Sequence, residues 1–157
     1  MGNCISEATM RYSTAKDYVE TIKLVLSSPH YQGQHVGIAI RPTGLLLGFA
    51  LELHFKAWLL ADGLPSNEVS RLGHRLRDLY STAIARGFST DDEIANLVDL
   101  IAEPHGQDRN YLYRYTRQTD EIPLVPWPIV LPILAHLDRI VDTHTGASAS
   151  HGLTPGH

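Results

Sequence analysis

Between Leu45 and Leu60 only Glu52, His54 and Lys56 carry polar side chains. A helix of that composition is apolar around nearly its whole circumference, so it must lie inside other helices. Thr43 after Pro42 suits the start of this helix and Gly63 after Asp62 suits its left-handed end, which predicts about twenty residues of central helix. Gly44, Gly48, Glu52 and Lys56 recur at every fourth position and form one stripe, small at one end and charged at the other. The stripe has two readings. Either a neighbouring helix packs closely over the glycines while Glu52 and Lys56 pair, or the stripe is the floor of a polar groove. A glycine costs a helix about 1 kcal/mol relative to alanine, so two of them in a buried helix imply that something needs the space.

The same periodicity predicts the surrounding elements. Tyr18, Ile22, Val25 and Leu26 recur at helical spacing over residues 14–27, with Ser13 as N-cap, and residues 1–12 read as a flexible lead-in. Pro29 stops this helix. The segment 29–42 alternates Val36, Ile38 and Ile40 with small residues, but a single strand has no partner, so it reads as a loop over the core. Leu72, Leu76, Leu79, Tyr80, Ala83 and Ile84 predict an amphipathic helix over residues 72–87, with His74 at its start. Residues 89–92 form a capping box for a helix built on Ile94, Leu97, Val98, Leu100 and Ile101 and ended by Pro104. In 105–118, Tyr111, Tyr115 and Gln118 share one helical face and Tyr111, Arg114 and Gln118 an adjoining one. The proline-rich TDEIPLVPWP is extended, and a last helix rests on Val130, Ile133, Leu134, Leu137, Ile140 and Val141, kinked or restarted at Pro132. Residues 146–157 have almost no apolar content and predict a disordered tail. The expected fold is therefore all-α, a bundle of five to six helices around a central hydrophobic helix, in one domain over residues 13–145.

Composition narrows the function classes. The 157 residues are 43% hydrophobic, enough for one domain with a core, and the net charge of −4 gives no global basic footprint for non-specific nucleic-acid binding. Local charge says more: arginines gather at 71, 75 and 77 and again at 109, 114 and 117, while acids gather from Asp91 to Glu103. A single cysteine, Cys4, allows neither an intramolecular disulfide nor a Cys-rich zinc site and suits a reducing cytoplasm. No secretion signal is visible, and the central apolar run is interrupted by charge, so no membrane span is expected. Gly2 and Ser6 match a short acylation pattern with Cys4 as a second site, a pattern that also arises by chance. His30 and His35 would not share a helical face, and no metal or cofactor is expected.

The helix ALELHFKAWLL, carrying Glu52 and Lys56, followed by GHRLRDL around His74, resembles the HEPN domain, a small all-helical module. The likeness covers roughly residues 43 to 118, and RNYLYRY, from Arg109 to Tyr115, is similar to an Asn-Tyr and Arg-Tyr segment in some branches of that family. The resemblance implies a metal-independent ribonuclease carrying an Arg-x4-6-His motif, in which histidine serves as base and arginine stabilises the phosphorane. This chain has Arg109-Asn110 at the implied place but Tyr115 where a histidine would fall. Arg139 and His144 have the spacing, yet Ile140 follows the arginine and the pair closes the final helix. A histidine such as His74 at a helix junction also serves as a plain structural hydrogen-bonder. The interleaved arginines and tyrosines of residues 105–118 can hold phosphates and stack on bases; equally, the tyrosines pack on the bundle with the arginines left in water.

Three functions follow. The first is a non-catalytic HEPN-like module, dimeric, that binds RNA, a nucleotide or a protein partner in a toxin-antitoxin or defence setting. Its binding residues would be Glu52, Lys56, His74, Arg75, Arg109, Asn110, Tyr111, Arg114 and Tyr115. The second is a metal-independent endoribonuclease that uses Arg109 with His74, or Arg139 with His144 across a dimer. The third is a scaffold or dimerisation subunit.

Overall fold

A computed structural model describes residues 5–29, 31, 39–106 and 111–156. Among them are six α-helices and no strand: α1 (Glu7–Ser27), α2 (Ile40–Ala61), α3 (Ser66–Leu72), α4 (Leu76–Ala85), α5 (Asp92–His105) and α6 (Trp127–Thr145), with a short 3-10 turn at Ala149–His151. The central helix is α2, which packs against all five others. Leu47, Ala50, Leu51, Phe55, Ala57 and Leu59 on its different sides are all fully buried. The helix begins one turn earlier than Thr43 because Pro42 falls in its first turn, where a missing N–H breaks no helical bond. Gly63 ends it at φ +87° as predicted. By length and composition α2 could cross a membrane, but 67% of its most apolar window is buried inside the bundle.

Several elements differ from the sequence reading, each for a local reason. The first helix starts at Glu7, capped by the Ser6 hydroxyl, which accepts from the Thr9 N–H at 3.1 Å; Ser13 is a mid-helix residue. The added turns bury Ala8 and Tyr12, so residues 7–12 are part of the bundle and not a lead-in. Helix α3 was not predicted. Only Val69 on it is buried, too little to leave a periodic signal. Gly73, at φ +59°, separates α3 from α4, so His74 sits in a break between helices and not at the start of one. Asp91 caps α5 by accepting from the Ile94 N–H at 2.9 Å, and α5 runs one residue past Pro104. Helix α6 continues through Pro132.

Residues 111–115 form a tight turn and no helix. Tyr111 takes the left-handed conformation, φ +54°, and its carbonyl accepts from the N–H groups of Arg114 and Tyr115 at 2.7 and 3.1 Å. Buried Leu112 and Tyr113 anchor this turn to the bundle.

The segment after Thr145 is also ordered against the helices, contrary to the disordered tail predicted from its polarity. Its donors converge on one carboxylate, Asp142, fully buried on α6: the Ser148 N–H at 2.9 Å, the Ser148 hydroxyl at 2.6 Å and the Gly156 N–H at 2.7 Å. Burial alone would raise the Asp142 pKa, and these bonds more than offset it and leave it below the ordinary value. Next to it Asp138 accepts from Lys16 at 2.8 Å and lies 3.4 Å from His54, which again outweighs burial and lowers its pKa. Gly2, Cys4, His30, His35, Arg109 and Asn110 lie outside the described residues.

Candidate functional site

The stripe on α2 is covered by side chains that reach it from later in the chain. Gly48 makes room for the His105 ring from the end of α5: a Cβ there would lie 2.1 Å from Nδ1 and 2.5 Å from Cγ. Gly44, one turn earlier, makes room in the same way for the Tyr113 ring, whose nearest atom would lie 2.5 Å from an added Cβ. Both readings of the stripe hold in part, since the glycines admit side chains and not a neighbouring helix backbone, while Glu52 and Lys56 do pair.

Glu52 is the hub. Its carboxylate is 2% exposed at the residue level and accepts from Lys56 Nζ at 2.7 Å, from His105 Nε2 at 3.0 Å and from His74 Nδ1 at 3.0 and 3.1 Å to its two oxygens. Burial pushes its pKa up, but the hydrogen bonds from His105, Lys56 and His74 more than offset this and hold it at about 2, well below the ordinary 4.5. Glu52 is therefore an anion across the neutral range. An anionic acceptor fixes the tautomers: the proton of each imidazole lies on the nitrogen that faces it. For buried His105 this leaves Nδ1 as a bare acceptor under Gly48, with no hydrogen-bond partner. For His74 it leaves Nε2 on a side chain that is 48% exposed.

Phe49, half-buried beside the stripe, ties the hub to the 111–115 turn. Its ring meets His105 and His74 edge-on, with centroids 5.2 and 6.3 Å away, and stacks on Tyr18 of α1 at 5.7 Å. The Arg114 guanidinium lies over the rings of both Phe49 and Tyr111, 5.0 Å from each centroid. Lys56 balances Glu52, whereas exposed Arg114 has no carboxylate partner among the described residues. Near the exposed edge of His74, then, lies a guanidinium with no carboxylate partner among the described residues, and a planar guanidinium suits an anion with several acceptor oxygens.

The structure thus brings Glu52, Lys56, His74, Tyr111 and Arg114 into one connected set. It does not bring in Arg75, which turns to Asp78 at 2.9 Å and to the Arg71 carbonyl at 2.9 Å. Tyr115 is 67% exposed and has no ring contact in the set. His144 stacks on Trp58, 4.5 Å between centroids, far from any contact with Glu52, and Arg139 lies near Gly156 of the tail. His105, Phe49 and Tyr113 were missed by the sequence reading. The signal that could have found His105 was Gly48, which promised a bulky partner one turn from Glu52.

A cavity of about 270 Å³ lies between α1 and the tail, lined by Tyr12, Lys16, Ser148 and His151 among others, but Lys16 is already bonded to Asp138 and Ser148 to Asp142. Among the described residues no group of three metal-ligating side chains is placed to hold an ion. No family model, curated protein or solved structure matches this chain.

Proposed function

We propose that the chain is a HEPN-like helical module that binds the phosphates of RNA or a nucleotide beside the Glu52 hub, with Arg114 donating to them and His74 donating from Nε2 when the ring carries its second proton. The observation that carries this reading is the pinning of His74. Its Nδ1 is held by both oxygens of a buried carboxylate while the rest of the ring is half-exposed. A structural histidine needs no such outward edge, and a buried ionised carboxylate is an expensive way to hold one in place. Arg114 adds a planar fork of donors with no carboxylate partner among the described residues. The glycines of α2 serve the same end, because they admit the His105 ring that helps keep Glu52 ionised.

A catalytic version is favoured by the same geometry. A carboxylate on Nδ1 and a free Nε2 is the arrangement in which histidine works as a general base, here toward a ribose 2′-hydroxyl, with Arg114 near the developing phosphorane charge. Fluorescence anisotropy with a labelled single-stranded RNA tests the binding reading. His74→Ala and Arg114→Ala should each weaken binding about tenfold or more, the loss of one charge-assisted hydrogen bond. Unchanged affinity in both variants would remove the site from consideration. The same RNA incubated with excess chelator tests the catalytic version: cleavage by the wild type that disappears in His74→Ala makes the module an endoribonuclease.

A further inference from the structure

Tyr111 takes a backbone conformation that a bulky aromatic residue rarely adopts, and it does so beside Arg114. Its φ of +54° lies in the left-handed region, which a residue with a Cβ adopts less readily than glycine or asparagine. The turn imposes that conformation, since the Tyr111 carbonyl receives two N–H groups and its own N–H donates to the Gly106 carbonyl at 2.9 Å. What the turn does not require is a phenol ring. Its neighbours Leu112 and Tyr113 supply the buried anchor, 1% and 5% exposed, and Tyr111 is only half-buried. Its ring instead lies against the Arg114 guanidinium, 5.0 Å away. Arg114 in turn lies over Phe49, which meets His74. A flat aromatic surface therefore stands beside the two groups proposed to hold phosphate.

We infer that Tyr111 is the base-stacking residue of this site, so that the ligand carries an unpaired nucleobase next to its phosphate. The inference rests on the phosphate reading above and narrows it. An acidic protein segment would satisfy Arg114 and His74 and gain nothing from a phenol ring at this place. A nucleobase gains a π-face to stack on. Stacking is sequence-tolerant, so the site reads the presence of a base and not its identity. A free nucleotide and single-stranded RNA share this chemistry.

Three probes separate the outcomes: a 12-mer of adenylate, an abasic sugar-phosphate 12-mer of equal charge, and adenosine monophosphate. The variants are Tyr111→Gly, which removes the ring and suits the left-handed backbone, and Tyr111→Phe, which keeps the ring. We expect the wild type to bind the adenylate 12-mer at least tenfold more tightly than the abasic one. Tyr111→Gly should reduce that ratio to near one without lowering the melting temperature, and Tyr111→Phe should preserve it. Adenosine monophosphate binding that falls in Tyr111→Gly supports the inference with a free nucleotide as the source. If it binds too weakly to detect while the 12-mer ratio behaves as stated, RNA is the source. A wild-type ratio of one, with both 12-mers still weakened by Arg114→Ala, overturns the stacking role and leaves phosphate binding standing. An equal loss for both 12-mers in Tyr111→Gly also overturns it, because the ring would then act only by holding Arg114. Failure of the wild type to bind any of the three overturns both readings.

Discussion

Gly48→Ala tests whether the groove in α2 exists to admit His105. By helix propensity alone the substitution should stabilise the protein by about 1 kcal/mol, since alanine is the better helix former. Against that, the new Cβ would fall 2.1 Å from His105 Nδ1 and 2.8 Å from Cε1, in a ring with no exposed surface and no room to retreat. Overpacking of this kind costs about 1–3 kcal/mol. Moving the ring also breaks its 3.0 Å bond to ionised Glu52, worth a further 1.5–3 kcal/mol or so. The losses exceed the gain by roughly 1.5–5 kcal/mol, which for a chain of this length lowers the melting temperature by about 3–20 °C. The decisive comparison is the same change in a His105→Ala background. There the ring is gone, the space is open, and Gly48→Ala should raise the melting temperature by about 2–4 °C, with the propensity term alone remaining. Calorimetry on the four proteins closes the cycle. A melting temperature that rises in the wild-type background, or falls equally in both, would refute the argument that the glycine is there for the imidazole.

Acid unfolding should report Glu52 directly. Its folded pKa of about 2 lies below the ordinary 4.5, so the stability it contributes, about 3 kcal/mol, is full above pH 4.5 and lost as the pH falls toward 2. Urea titrations at pH 5 and pH 2.5 should show that difference in the wild type and a smaller one in Glu52→Gln; identical acid losses would assign the effect to Asp138 and Asp142 instead. Removing residues 146–157 should destabilise the fold by about 3–5 kcal/mol, because it strips buried Asp142 of all three tail donors. Adding Asp142→Asn to the truncated chain should recover part of that loss in thermal denaturation, and no recovery would mean that the tail matters through Ala147 packing alone.

The hub of the site was legible in the sequence because α2 is so apolar that its stripe stands out. Glu52 and Lys56 are four apart on that helix, and the glycines mark the empty side. What the stripe faces was not legible, because its partners come from elsewhere in the chain. His105 is 53 residues from Glu52 and follows a proline at a helix end, where nothing in the local pattern separates it from any surface histidine. The tail shows the opposite failure. Its polarity predicts disorder, but three donors aimed at one buried carboxylate tie it down without any apolar residue beyond Ala147 entering the core. Hydropathy records groups that leave water for an apolar interior; it is blind to polar groups that leave water for one another.

The same distinction explains why the chemistry concentrates where it does. The chain buries two carboxylate sites on α6 and one on α2. Asp142 is satisfied by the tail and Asp138 by Lys16, whose side chain is 22% exposed. Glu52 differs, because one of its three donors, His74, stands in the break opened by Gly73 and is itself 48% exposed, so the hydrogen-bond network runs out to the surface through an imidazole. Close by, Arg114 lies over Phe49, which meets His74 edge-on, and has no carboxylate partner among the described residues; a solvent-exposed imidazole anchored on a buried carboxylate and an unpaired guanidinium on the same aromatic ring are the conjunction from which we propose the ligand site.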